Sequence, residues 1–228
     1  MLARPRYGVT LATLLAIWAA VPALGAEPSA SQILKRALDL NSGIVDYTAR
    51  ARAEFHAPEG ADVPEGQRSM VFDFRVLFKR PNQVKIEANQ PVMLPRQLFA
   101  FGNLGTTIAR EGRVSLVGKR VVDGVPIYNV QVAPPEGTEG AKMLFWIHGA
   151  KWTVLRMKMP ASGGNQQSFE LDIAWTYARV QGYYVPTRIS VSLPGMMFGP
   201  NVWGQGRASL TMTDWRINVG LKDSVFAR

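Results

Sequence analysis

The stretch Ser69 to Glu87 reads SMVFDFRVLFKRPNQVKIE. Phe72, Phe74, Val76 and Phe78 recur at every second position, and Val71, Asp73, Arg75, Leu77 and Lys79 alternate with them. A period of two assigns each set to its own face of a β-strand. Pro81-Asn82 then interrupts the pattern, because proline lacks the N–H a ladder needs and Asn favours turns. Val84 and Ile86 resume it, so the stretch predicts strands over 69–79 and 82–88 joined at a corner. Arg80 shares the parity of the aromatic residues. A guanidinium on an apolar face needs acceptors for its five donors.

The same alternation governs nearly all of the chain beyond residue 47. It predicts further strands over about 47–56, 113–119, 125–133, 142–148, 152–159, 167–177, 183–193 and 207–219. Asp123-Gly124 and His148-Gly149-Ala150 are turn signals between them. Over 167–177, Phe169, Leu171, Ile173, Trp175 and Tyr177 face one way and Glu170 and Asp172 the other. The apolar parity shifts between Met212 and Trp215, which predicts a β-bulge at Thr213-Asp214. Ahead of the strands, Ile33, Leu34, Ala37 and Leu38 have helical spacing. Ser29 and Gln32 make a capping box, and Asn41-Ser42-Gly43 ends a helix over about 30–41. The segment 91–104, with Pro95, Leu98, Phe99 and Phe101, reads as a covering helix or irregular lid. The fold class is therefore mainly β (α+β): ten or eleven antiparallel strands in a sheet that must curl or close. Its concave face is apolar.

Residues 1–26 have a basic start at Arg4 and Arg6, an apolar run over Val9 to Val21 and small residues at Ala23-Leu24-Gly25-Ala26. They read as a secretory signal peptide, leaving 27–228 as a single domain. With no cysteine in the chain, the exported protein has neither disulfides nor a lipid-attachment site. The expected location is therefore the periplasm, soluble and not lipid-anchored. The net charge of +9 is scattered without a basic run, which disfavours nucleic acid as a partner. Several predicted strands are shorter than an outer-membrane barrel needs, and the chain ends Ala227-Arg228 without a terminal aromatic residue.

The signals of chemistry are weak. His56 and His148 stand singly at strand ends, outside any metal-ligand spacing. No nucleophile elbow or phosphate loop occurs. Glu170 and Asp172 lie on the polar face of a clean alternation, as solvated carboxylates do. The expectation is a protein that is not an enzyme, with no catalytic residue, cofactor or metal. In the loop LPGMMFGPNVWGQG (193–206), Met196, Met197, Phe198 and Trp203 stand among turn residues. They either fold onto their own sheet or form a mouth or partner contact.

Four stretches in order, IVDYTARARAEFH, VLFKRPNQVKIE, VVDGVPIYNVQVAPPEG with KMLFWIHGAKWTVLRMKM, and YARVQGYYVPTRISVSL with a final VGLKDSVF, are spread along the chain from residue 44 to residue 226. Together they resemble the LolA-like outer-membrane lipoprotein-sorting family of periplasmic lipoprotein carriers. The resemblance implies an incomplete, half-open β-barrel whose hollow is covered by helices and binds acyl chains of lipoproteins or other lipid. Arg80 matches the family's Lys-Arg-Pro arginine, implied to latch the lid through backbone hydrogen bonds. Phe72, Phe74, Val76, Phe78, Phe169, Ile173 and Trp175 are the candidates for lining the lipid cavity. Partners implied are an inner-membrane release complex and an outer-membrane acceptor. The alternative is an envelope sensor of the same fold that binds lipid or peptide. The chain departs from the family after Ala88, where VMLPRQLFAF stands in place of the usual lid, which points towards a relative that carries or senses another lipid.

Overall fold

The computed structural model describes residues 27–57, 68–89, 99, 112–136, 141–162, 168–197 and 203–227; for 161, 162, 168, 169, 193–197 and 203–205 it describes the backbone alone. The signal-peptide reading of 1–26 and most of 91–104 lie outside these residues.

Among the described residues one α-helix, α1 (Ala30–Asp39), precedes ten strands: β1 (Asp46–His56), β2 (Ser69–Lys79), β3 (Gln83–Ala88), β4 (Arg113–Val122), β5 (Val125–Ala133), β6 (Met143–His148), β7 (Val154–Ser162), β8 (Ser168–Val180), β9 (Tyr183–Met197) and β10 (Trp203–Ile217). They form one antiparallel sheet in the order β3-β2-β1-β10-β9-β8-β7-β6-β5-β4. Pairing of β1 with β10 joins the two ends of the described chain. β3 and β4, consecutive in sequence, lie at opposite edges, so the sheet curls without closing.

Local chemistry sets the boundaries. Ser29 accepts from the Gln32 backbone N–H, and the Gln32 side chain accepts from the Ser29 N–H, completing the capping box. Asp123-Gly124 and Gln181-Gly182 both place two residues at positive φ, the geometry of a tight two-residue hairpin turn. Gly149 packs so close to Pro126 that a Cβ there would lie 2.8 Å from the Pro126 carbonyl oxygen. The expected bulge is present: Thr48 faces Arg216 while Arg50 faces Thr213, and Asp214 takes φ 52.

Two expectations are corrected. Met196, Met197 and Trp203 are not in a loop, since β9 and β10 remain paired there, Met197 opposite Trp203. A register shift between Gly204 and Gln205 accommodates the Pro and Gly residues that signal a turn in sequence. Phe198 lies outside the described residues. As expected, some strands are shorter than a membrane barrel needs, β3 and β6 having six residues each, although β9 and β10 reach 15; β3 and β4 are also edges without a further partner strand among the described residues. Finally, Leu77 sits on the outer face yet is 4% exposed. The C-terminal segment is tied down on either side of it, by Lys79 to Asp223 and by Lys85 to the Val225 carbonyl.

The concave face carries continuous apolar rungs. Phe55, Ala208, Val191, Ile173, Met157 and Phe145 stand opposite one another in turn across β1, β10, β9, β8, β7 and β6. On β1 the inward positions are small between two rings: Tyr47, Ala49, Ala51, Ala53, Phe55. The three alanines, all buried, leave depth in the concavity that larger side chains of other segments enter. Ile33 and Leu34 of α1 and the isolated Phe99 are buried in this core.

Candidate functional site

The site is built around Tyr47. Its ring stacks on Phe78 at 5.2 Å and tilts against Trp215 at 4.8 Å. Its hydroxyl donates to the Phe99 carbonyl at 2.6 Å, and Phe99 meets Phe74 edge-on at 6.0 Å. Burial pushes the Tyr47 phenol well above its ordinary pKa, so it stays a neutral donor. The segment 91–104 is thus tied to the concave face at Phe99, its one described residue.

Helix α1 straps the two wings of the sheet. On the β4–β7 side, Lys119 meets Glu27 at 2.6 Å and the Arg36 guanidinium lies 4.7 Å over the Trp152 ring, which stacks on Tyr128. On the other side, the exit of the helix is held by side chains from three elements. Arg80 donates from Nε to the Ile44 carbonyl at 2.5 Å and from Nη2 to the Asn41 carbonyl at 3.0 Å. Tyr183 and Asn218 both donate to the Gly43 carbonyl, and the Asn41 amide donates to the Tyr184 carbonyl. The accepting carbonyls lie in the turn just past the helix, from Asn41 to Ile44, so these side chains fix the path of the chain from α1 into β1. Asp46, 3% exposed, fixes the adjoining C-terminal segment by accepting from the N–H groups of Val219, Gly220 and Leu221.

Of the residues singled out in the sequence, Phe74, Val76, Phe78 and Ile173 are buried together in the core, with Phe72 and Trp175 half-buried against it. The Phe169 side chain lies outside the described residues. Phe72 and Trp175 belong to one rung, linked through Ala53, Leu210 and Ile189. Phe55, Leu171 and Val191 nearby on the apolar face are half-buried as well. His148 is a turn residue: its Nδ1 accepts from the backbone N–H groups of Ala150 and Lys151, and burial followed by the nearby Lys151 charge lowers its pKa. Tyr47, Asp46 and Asn218 carry no motif. Their partners lie far along the chain, so sequence reading passes over them.

A curled, open, ten-stranded antiparallel sheet whose apolar hollow is strapped by a capped helix defines the LolA-like fold class, and this chain has that fold. A LolA superfamily protein from Nitrosomonas europaea superposes with TM-score 0.59 at 13% identity, covering 89% of this chain and 99% of that one. A DUF1329 family protein from Desulfovibrio piger gives TM-score 0.52 at 13% identity, covering 89% and 98%. A domain from Vibrio parahaemolyticus assigned to outer-membrane lipoprotein sorting gives TM-score 0.52 at 13% identity, covering 86% and 95%. No family model and no curated protein sequence matches the chain. No helix among the described residues is long and apolar enough to cross a membrane.

Proposed function

We propose that this protein is a soluble periplasmic carrier, without catalytic activity, that takes acyl chains of lipoproteins or other lipid into its concave face and moves them towards the outer membrane. The observation that carries this reading is the apolar rung whose ends, Phe72 and Trp175, are half-buried while Ala53, Leu210 and Ile189 between them are buried in the core. Burial of alkyl chain on such a surface contributes about 0.8 kcal/mol per CH₂, so affinity needs no polar chemistry. Arg80 acts as a latch by fixing the exit of the strapping helix, and the end of the β9–β10 hairpin at Met196, Met197 and Trp203 serves as the mouth that meets a release complex and an acceptor. Deletion of contacts along that hairpin then impairs transfer rather than binding.

The reading is tested by extracting and mass-analysing lipid from the purified protein and by titrating it with a fluorescent fatty acid. Bound acyl lipid is expected, with at least tenfold weaker probe binding in Phe72→Asp and Trp175→Asp. Consistently lipid-free protein that does not bind the probe overturns the proposal.

A further inference from the structure

The convex face carries a second feature, independent of the acyl reading. A groove of about 380 Å³ opens across β7–β10 and the end of β1. The register lays out its surface. Ala174, Ser190 and Ser209 stand opposite one another on β8, β9 and β10, and the neighbouring rung is Asp172, Ser192, Arg207 and His56. These small side chains form a floor, with long cationic ones at its margins. Arg156 lines one side on β7. Arg188 lies two residues from Ser190, and Arg207 two residues from Ser209 in the opposite sense. Arg188 and Arg207 are thus about 14 Å apart along the strand direction, at 3.4 Å per residue.

The charges are unequally matched. Arg156 is used up: its guanidinium forks onto Asp172, with Nε to Oδ1 at 2.7 Å, and holds that carboxyl below its usual range. Arg188 and Arg207 are both exposed and have no acidic partner among the described residues. Asp172, the one carboxylate among the lining residues, is already neutralised, and Glu54, opposite Ser209 on β1, pairs with Arg52, so Arg188 and Arg207 flank the serine rung without acidic partners among the described residues. Guanidinium forks and hydroxyl donors are the complement of an oxyanion with several acceptor oxygens.

We propose that this groove binds a phosphate group, with Arg188 and Arg207 gripping it from opposite ends and Ser190 and Ser209 donating from the floor. The phosphate is supplied either by a soluble phosphorylated compound or by a lipid headgroup at a membrane surface. In the second case the convex face docks on the membrane while the apolar face points away from it.

The test measures binding of pyrophosphate by calorimetry, and co-sedimentation with phosphatidylglycerol vesicles against phosphatidylcholine vesicles, at matched ionic strength. Variants are Arg188→Gln, Arg207→Gln, their combination, and Ser190→Asp, which sets a negative charge on the floor; Arg120→Gln is the charge-matched control outside the groove. Each single arginine loss is expected to weaken binding about tenfold, as for loss of one charge-assisted contact. Ser190→Asp is expected to abolish it, and Arg120→Gln to leave it unchanged. Groove-dependent binding of pyrophosphate assigns the soluble source; groove-dependent sedimentation with phosphatidylglycerol alone assigns the headgroup. No binding in either arm, or equal weakening by Arg120→Gln, overturns the proposal, since attraction to net charge alone does not distinguish these positions.

Discussion

Arg80 donates to the backbone carbonyl of Asn41 at 3.0 Å, so the residue that follows the aromatic strand β2 holds the end of helix α1. The arginine that looks misplaced by parity places its guanidinium against the backbone just past the helix, where the Asn41 carbonyl also accepts from the Ile44 N–H. Its second bond, to Ile44, brings both ends of the α1–β1 connection under one side chain.

Arg80→Leu removes two charge-assisted donors and leaves part-buried carbonyls without them. A loss of about 2–4 kcal/mol in urea unfolding is expected, with faster hydrogen exchange in α1. Arg80→Lys restores one contact and recovers part of the loss, because a lysine cannot span both carbonyls as a guanidinium does. Unchanged exchange in α1 would exclude a latch.

Asp46→Ala strips three backbone N–H groups of their acceptor. The expected cost is about 3 kcal/mol, together with new proteolytic cleavage in 218–227. Asp46→Asn keeps one acceptor oxygen and should fall between the two. A protein as protected as the wild type would show that the C-terminal segment is held by other contacts.

Burial raises the pKa of both Tyr47 and Tyr177 in the folded state. A raised value means that stability is fully present below the ordinary tyrosine pKa of about 10 and is lost as pH rises above it, because the unfolded chain releases protons the native state retains. The urea midpoint should therefore fall between about pH 9 and 11, and the fall should be shallower in Tyr177→Phe. Tyr47→Phe also loses the bond to the Phe99 carbonyl and starts about 1–3 kcal/mol less stable at neutral pH.

Ala51 is 4% exposed and stands opposite Phe74 and Met212 at the base of the concavity. Ala51→Leu should destabilise the fold by about 1–3 kcal/mol, since added methylenes have no space in a packed core. Calorimetric melting checks this. A neutral or stabilising effect would reveal unfilled volume beneath the rung, which the carrier reading would then use.

By itself the sequence determined what is local. Period-two alternation places β2 and β5 to the residue, Ser29 and Gln32 start the helix, and the parity break at Met212–Trp215 marks the bulge. These follow from the period of side chains and from short-range hydrogen bonds, both readable within a few positions. Where local signals misled, in the Pro- and Gly-containing stretches 193–197 and 203–206, a bulged ladder overrode them. Only the tertiary structure decided which strands pair, and with that the site. Arg80 with Asn41, Asp46 with the 219–221 backbone, and Tyr47 with Phe99 join positions 39 to 175 residues apart. Arg188 and Arg207 read in sequence as ordinary solvated charges on two strands. They face one groove because the β9–β10 register sets Ser190 opposite Ser209, and that register is fixed by burying the other face of the sheet.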